Sequence, residues 1–158
     1  MTDAPTSAAA PASDTDDMHW RFENVGRLMN RTVDIFEEEV IALIDKQEFP
    51  GMRRTHIKLI RNLDAKGTRA IDLAARAQMT KQAMAEQIQQ CEAAGIIYRE
   101  ADETDGRAKI VKLTPHGMNL MHQLRDAVAK AEAQMEAVVG KRKLEAILGS
   151  LRKYIAKH

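Results

Sequence analysis

The sequence has one cysteine, few aromatic residues and no long apolar run. Because Cys91 is alone, the chain cannot form an internal disulfide, and a disulfide-stapled fold is excluded. No apolar stretch approaches the roughly 18 residues that a helix needs to cross a bilayer, so we expect no membrane partner. The N-terminus also lacks the basic start and apolar middle of a secretory signal. These absences predict a cytoplasmic protein.

Composition favours helices over a sandwich or barrel. Aromatic residues make up 4% of the chain and charged residues 30%, and good helix formers such as Ala, Leu, Lys and Glu are abundant. A length of 158 residues suits one domain with a genuine core and is short for two. The first 17 residues are rich in Ala, Pro, Ser, Thr and Asp, which cannot pack, and they predict a disordered tail.

The net charge of +1 hides an uneven distribution. Residues 1–50 carry four basic and eleven acidic residues, a net charge of −7. Residues 51–158 carry twenty basic and twelve acidic residues, a net charge of +8. A basic body behind an acidic end is compatible with an acidic partner such as nucleic acid.

Apolar residues recur at helical spacing in four segments of the first half. The segments cover residues 20–48, 52–63, 68–78 and 79–95. The first would be roughly 40 Å long at about 1.5 Å per residue, so part of its apolar stripe needs a partner from outside the chain. Thr80 is the expected N-cap of the fourth helix, and Gly95 is its expected stop.

A hairpin and two further helices are predicted after Gly95. Two runs rich in β-branched residues, at 96–100 and 108–113, indicate the hairpin. Thr114 then caps a helix that starts at Pro115 and extends to about Val139, and a last amphipathic helix follows.

The connection of the hairpin reads ADETDGR. We expect its carboxylates, Asp102 among them, to keep the loop soluble and Gly106 to permit the reversal. Arg107 would project from the tip, where a guanidinium can enter a DNA minor groove. Because the short turn at 77–79 joins the third and fourth helices, the pattern is that of a helix-turn-helix followed by a wing.

The segments "DLAARAQMTKQAMAEQIQQCEAAGIIYRE" and "DGRAKIVKLTPHG", in this order and separation, resemble the MarR (multiple antibiotic resistance regulator) family of winged-helix transcription factors. The resemblance covers about residues 28–139, and its most specific part is Asp105-x-Arg107 followed by Leu113-Thr114-x-x-Gly117. It implies a homodimer that binds a near-palindromic operator. It also implies release of that operator by a small, often phenolic or acidic, ligand in a cleft between the dimerisation and DNA-binding parts.

The predicted fold is mostly α: a winged helix-turn-helix with a two-stranded wing and long N- and C-terminal dimerisation helices. We divide the chain into a disordered tail (1–17), an N-terminal dimerisation helix (18–50), the winged helix-turn-helix (51–113) and the C-terminal dimerisation helices (114–158).

The fourth helix is predicted to present one face to DNA. Met84, Ile88 and Cys91 lie at i, i+4 and i+7 and face inward, which leaves the opposite side exposed. A glutamine amide there can donate to and accept from an adenine edge, although glutamines also solvate ordinary surface helices. The candidate DNA-binding residues are Thr80, Lys81, Gln82, Ala85, Glu86, Gln89, Arg107, Lys109 and Arg76. Further candidates for phosphate contacts are Lys58, Arg61, Arg99 and Lys112.

Three residues depart from the family pattern. Glu86 stands where a basic residue is common, so it would repel phosphates unless it accepts from a cytosine amino group. Gln78 replaces the usual turn glycine and would be strained at positive φ. Cys91 stands where leucine is usual, and we interpret it as a small buried hydrophobe in preference to a redox sensor.

Candidate ligand residues come from the start of the first helix and from the second helix, which form the ligand cleft in the family. They are Met18, Trp20, Met52 and His56. A packed hydrophobic corner is the plainer interpretation of the same residues. No histidine pair has ligand spacing on one helix face, so neither a metal site nor a cofactor is predicted.

We therefore predict a DNA-binding regulator, a repressor, whose partners are double-stranded DNA, a second copy of the chain and a small-molecule effector. The alternative is a winged-helix module for protein–protein interaction with weak or lost DNA binding, which Glu86 and the modest net charge motivate. An enzyme is not expected, because no nucleophile stands in a recognisable motif and no phosphate loop is present.

Overall fold

The structure is a computed structural model that describes residues 20–102, 105 and 108–157. The predicted tail, Met18, Gly106 and Arg107 lie outside these residues. The chain divides into two compact units, residues 1–35 and 36–158. The elements in chain order are α1 (Trp20–Glu23), α2 (Val25–Ala42), α3 (Arg54–Ile60), β1 (Thr68–Arg69), α4 (Ala70–Arg76), α5 (Lys81–Ala93), β2 (Ile97–Ala101), β3 (Lys109–Leu113), α6 (Pro115–Val139) and α7 (Lys141–Ile155).

The described part of the first unit consists of α1 and the beginning of α2. The single long helix predicted over residues 20–48 is wrong here, because Asn24 separates α1 from α2. The Asn24 amide Nδ2 donates to the carbonyl of Trp20 over 3.0 Å, and its Oδ1 accepts from the backbone N–H of Arg27 over 3.0 Å. The asparagine thus satisfies backbone groups of both helices at the break.

The same prediction is wrong at the other end, because α2 stops at Ala42. Beyond it, Asp45 forms a turn in which its Oδ1 accepts from the backbone N–H of Gln47 over 2.8 Å. Its own N–H donates to Oε1 of Gln123 in α6 over 3.1 Å. The turn directs Ile44 and Phe49 into the core, where both are buried.

The core of the second unit lies where α3, α4, α5, the sheet and α6 meet. The predicted inward positions of α5 are confirmed, since Met84, Ile88 and Cys91 are buried. In α4 Leu73 is buried, whereas Ile71 in the first turn of the helix is 53% exposed. The largest fully buried side chains are Leu59, Ile60, Leu73, Met84, Ile88, Ile97, Leu120, Val111 and Cys91.

The predicted hairpin is confirmed as the antiparallel pair of β2 and β3, but the sheet has three strands in the order β1-β3-β2. The third strand, β1, was not predicted: Thr68 pairs with Val111 and Arg69 with Ile110. Gly67 precedes the extra strand at φ 93°, and a Cβ there would lie 2.3 Å from Cγ2 of Ile110. Only glycine allows β1 to approach β3 this closely.

The start of α6 explains the Leu-Thr-Pro-His-Gly motif. As predicted, Thr114 is the N-cap: its Oγ1 accepts from the N–H of Gly117 over 3.0 Å. The same hydroxyl donates to the carbonyl of Gly95 over 2.6 Å. A Cβ on Gly117 would lie 2.0 Å from the carbonyl oxygen of Ile96. The motif therefore fixes the end of α5, the sheet and the start of α6 against one another.

Candidate nucleic-acid interface and effector cavity

The turn between α4 and α5 sets the direction of α5. Ala77 ends α4, and Gln78 takes φ 52°, which confirms the positive φ considered for this glycine-like position. The chain reverses through a hydrogen bond from the N–H of Met79 to the carbonyl of Ala74 over 2.9 Å. Thr80 then caps α5 as predicted, with its Oγ1 accepting from the N–H of Ala83 over 3.1 Å.

The exposed face of α5 holds the predicted DNA-contacting positions. Because Met84, Ile88 and Cys91 anchor the helix in the core, the opposite side chains lie on the surface. The exposed candidates on and before this face are Thr80, Lys81, Gln82, Ala85, Glu86 and Gln89. Four of these six are uncharged, and the face carries one lysine and one glutamate. Such a face suits hydrogen bonding to base edges better than neutralising phosphates.

Several cations predicted to contact phosphates have acidic partners within the chain. Arg76 donates to Oδ2 of Asp64 over 2.8 Å. Arg99 forms a bidentate pair with Glu92, whose hydrogen bond lowers the pKa of that carboxyl group. The remaining pairs are Arg61 with Glu37 and Lys112 with Glu100. These pairs reduce the positive charge available to DNA.

Lys81 and Lys109 differ from these cations in having no ion-pair partner among the described residues. Both side chains are exposed, and neither forms an ion pair with another of the described residues. Lys81 starts α5, and Lys109 starts β3 at the wing. The structure therefore leaves these two predicted contacts available at the two elements that a winged helix places against DNA.

The expectation for Asp102 is wrong. It is 6% exposed, and its Oδ2 accepts from Nε of Arg69 in β1 over 2.6 Å. This hydrogen bond also raises the pKa of the Arg69 guanidinium. Asp102 therefore joins the base of the wing to the strand that sequence reasoning missed. The signal in the sequence was a carboxylate placed two residues after the β-rich run 96–100.

A cavity of about 310 Å³ lies beside α5 in the second unit. Met52 and His56, two of the four predicted ligand residues, line it together. Trp20 lies in the first unit and is 68% exposed. The full lining is Gln47, Glu48, Phe49, Pro50, Met52, His56, Gln90, Cys91, Ala94, Ile96 and His116.

Hydrogen bonds hold the ring of His56 at the cavity, and a stacking contact holds that of His116. Nδ1 of His56 accepts from the backbone N–H of Arg53 over 3.2 Å, so the neutral ring carries its proton on Nε2. That nitrogen lies 2.9 Å from Oε1 of Gln90. The ring of His116 stacks on Phe49, with centroids 4.5 Å apart, and its Nδ1 lies 3.7 Å from Oε1 of Glu48.

Cys91 also lines the cavity, and its environment favours the packing interpretation. The residue is 1% exposed, and burial raises the pKa of its thiol to about 12. The thiolate is the reactive form, so this cysteine is a poor nucleophile at neutral pH.

Among the described residues no group of three or more His, Cys, Asp or Glu is placed to hold a metal ion. None of the described helices is long and apolar enough to cross a membrane.

Comparison with known proteins finds one matching family model and several solved structures with a similar fold. Residues 51–108 match the model of the MarR family, whereas no curated protein matches the chain. A probable transcriptional regulator from Pseudomonas aeruginosa has a TM-score of 0.65 and 21% identity, over 84% of this chain and 97% of that one. The repressor CouR bound to a 23-mer DNA duplex has a TM-score of 0.71 and 18% identity, over 87% and 96%. The PcaV regulator from Streptomyces coelicolor, in complex with its natural ligand, has a TM-score of 0.65 and 17% identity, over 94% and 98%.

The class is therefore that of a mostly helical winged-helix protein with a three-stranded sheet. Over residues 51–108, from before α3 to beyond β2, the chain is similar to the MarR family. At these identities the solved structures establish the fold alone. The match of residues 51–108 to the MarR family model supports a DNA-binding regulator as the class of function.

Proposed function

We propose that the protein is a transcriptional repressor that binds a near-palindromic operator as a homodimer and leaves it when a small molecule binds. The observation that carries this proposal is the arrangement of α5. The helix is anchored by buried Met84, Ile88 and Cys91, is capped by Thr80, and presents a mainly uncharged polar face to solvent. That arrangement suits insertion into a major groove, where base edges carry a readable donor and acceptor pattern.

Dimerisation is supported by apolar side chains that each unit leaves exposed. In the first unit they include Trp20, Phe22, Val25, Leu28, Met29, Val33 and Ile35. In the second they include Ile147, Leu148, Tyr154 and Ile155 of α7. Monomeric proteins rarely expose so many large apolar groups, and a second copy would cover them. Two recognition helices would then contact half-sites about 34 Å apart.

An effector bound in the cavity would contact residues at the end of α5 directly. Gln90, Cys91 and Ala94 belong to the end of α5 or its cap and also line the cavity. A molecule that binds there with higher affinity in one arrangement of α5 than in another shifts the population towards that arrangement. If the favoured arrangement has the wrong spacing for the operator, DNA is released. The relative PcaV was solved with its natural ligand, which is compatible with this proposal.

The test is a mobility-shift assay on the promoter next to the gene of this protein, at two salt concentrations, with a scrambled duplex as control. We expect specific retention that weakens steeply with salt, because bound cations displace counterions from the phosphates. Selection of bound fragments from genomic DNA would then define the operator. A transcription assay with and without the protein distinguishes repression from activation.

One alternative function has a specific observation in its favour. Arg61, Arg76, Arg99 and Lys112 are all paired with carboxylates, and Glu86 adds a negative charge to the face of α5. A winged-helix dimer that serves protein–protein interaction does not need unpaired cations on this surface. Absence of retention on any duplex at low salt would favour the interaction module over the regulator.

A further inference from the structure

Among the described residues that line the cavity, Glu48 is the one acidic residue, and none is lysine or arginine. From this lining we infer that the effector is an uncharged or cationic aromatic molecule and that the cavity discriminates against aromatic carboxylates. The inference rests on the proposed ligand response and specifies the chemistry of the ligand. It narrows the expectation, drawn from the family resemblance, of a small, often phenolic or acidic, ligand.

The carboxylate of Glu48 is held in the wall by groups of α6. Gln123 donates from Nε2 to Oε2 over 2.7 Å, and the Asn119 amide donates to Oε1. Both donors are neutral amides, so they orient the carboxylate and leave its negative charge in place. Among the described residues of the lining, His116 is the one whose side chain lies within ion-pair distance of this carboxylate.

The two histidines do not supply a cation for a ligand carboxylate. Protonation of His116 would only balance Glu48, because the two side chains face each other across 3.7 Å. Protonation of His56 would place a proton on Nδ1, where the backbone N–H of Arg53 now donates, and would remove that hydrogen bond. A ligand carboxylate would therefore lose its hydration without gaining a positive partner, which is unfavourable.

The remaining lining suits a flat ring. The stacked pair of Phe49 and His116 offers an aromatic surface, and Met52 and Ile96 add apolar contacts. Oε1 of Gln90 already accepts from His56, so the Gln90 amide nitrogen remains as a donor at the rim. A volume of about 310 Å³ is at the lower end of ligand sites and fits one or two rings.

Three probes of nearly equal shape test the inference: benzamide (neutral), benzamidine (cationic) and benzoate (anionic). Each is titrated into the full-length protein without DNA, and the methyl resonance of Met52 and the ring resonances of His116 are followed by NMR. We expect benzoate to bind at least about tenfold more weakly than either of the other two. Benzoate binding as tightly as benzamide would overturn the inference, as would three probes that all leave these resonances unchanged at millimolar concentration.

Glu48→Gln is the variant that isolates the charge. It keeps an acceptor for Asn119 and removes the negative charge, so the preference for benzamide over benzoate should shrink by at least about threefold. Glu132→Gln, an exposed carboxylate of α6, should leave the preference unchanged. An unchanged preference in Glu48→Gln would contradict the assigned role of this carboxylate. If that variant does not fold, the wild-type series alone decides. Because no DNA is present, these results are independent of the mobility-shift assay that tests the proposed function.

Discussion

His56 and Gln90 connect two helices through one hydrogen bond. Nε2 of His56 in α3 lies 2.9 Å from Oε1 of Gln90 in α5, and the two residues are 34 positions apart in the chain. The other ring nitrogen accepts from the N–H of Arg53 at the start of α3. The imidazole thus joins the N-terminus of α3 to the C-terminal half of the candidate recognition helix, at the edge of the cavity.

We predict that this bond is measurable in a double-mutant cycle. His56→Ala and Gln90→Ala should show a coupling free energy of about 0.5–1.5 kcal/mol in urea unfolding, the usual net contribution of a hydrogen bond. The matched control is Gln89→Ala, because Gln89 is the exposed neighbour of Gln90 and has no side-chain partner among the described residues. A coupling energy of zero would mean that the bond makes no net contribution in solution.

Gln78 is predicted to be a strained position. Its φ of 52° lies in the left-handed region, which costs an ordinary L-residue roughly 1–2 kcal/mol and costs glycine little. Gln78→Gly should therefore raise the free energy of unfolding by about 0.5–1 kcal/mol, after the extra chain entropy of glycine is subtracted. Gln89→Gly, in the middle of α5, should lower it by about 0.8–1.0 kcal/mol. Destabilisation by both changes would refute the assigned strain.

Cys91 should make stability depend on alkaline pH. Its thiol pKa is raised by burial from 9.0 to about 12, so the folded state keeps a proton that the unfolded chain loses above about pH 9. The stabilisation is complete below that pH and is lost as pH rises towards the folded pKa. The stability difference between wild type and Cys91→Ala should therefore shrink by about 1.4 kcal/mol per pH unit between about pH 9 and pH 12. Urea unfolding at neutral pH and at several alkaline pH values measures this, and a constant difference would exclude a buried neutral thiol.

The sequence predicted those elements whose signals are local. Thr80 and Gly95 bound α5 by hydrogen-bond chemistry that involves their immediate neighbours, and Thr114 with Pro115 does the same for α6. The end of α2 could not be predicted in this way. The apolar periodicity continues past the true end, and the turn that follows is held by a hydrogen bond from Asp45 to Gln123, which is 78 residues away.

The missed strand and the misread carboxylate have the same physical cause. β1 is two residues long, too short for any periodicity, and it exists because β3 offers it a free edge. Asp102 is buried because Arg69 of that strand lies beside it, 33 positions away in the sequence. A loop composition suggests solvated carboxylates, and only the tertiary arrangement shows which of them is paired.

Part of the candidate interface can be predicted from the sequence, and part depends on tertiary contacts. The exposed face of α5 follows from the spacing of Met84, Ile88 and Cys91, which the sequence displays directly. The pairing of Arg99 with Glu92 does not, because it depends on how β2 packs beside α5. Basic residues counted from the sequence therefore overestimate the charge available to DNA.

Glu86 is predicted to read a base. A carboxylate accepts only, so it can contact the amino group of a cytosine or adenine and repels an acceptor edge. Glu86→Gln should broaden the base preference at one position of each half-site, with a loss of about 1–3 kcal/mol of discrimination. It should also raise affinity for unrelated DNA. Sequencing of duplexes selected from a randomised pool measures both effects, with Glu136→Gln in α6 as the control. An identical base profile for wild type and Glu86→Gln would remove this role.

Lys81 is predicted to carry a larger share of the phosphate contacts than Arg99. Lys81 is exposed at the start of α5 without an ion pair to a described residue, whereas Arg99 is held by Glu92. Lys81→Gln should reduce the slope of log K against log salt by about 0.9, the value for one phosphate contact.

The matched control is the double variant Glu92→Gln/Arg99→Gln, which removes a balanced pair. Because its net charge is that of the wild type, its salt slope should be unchanged within error. If the double variant loses as much slope as Lys81→Gln, then Arg99 exchanges Glu92 for a phosphate on binding. The arginines that are paired in the free protein would then also contact phosphates in the complex. The positive charge available to DNA would be closer to the number of basic residues in the sequence than the unbound structure indicates.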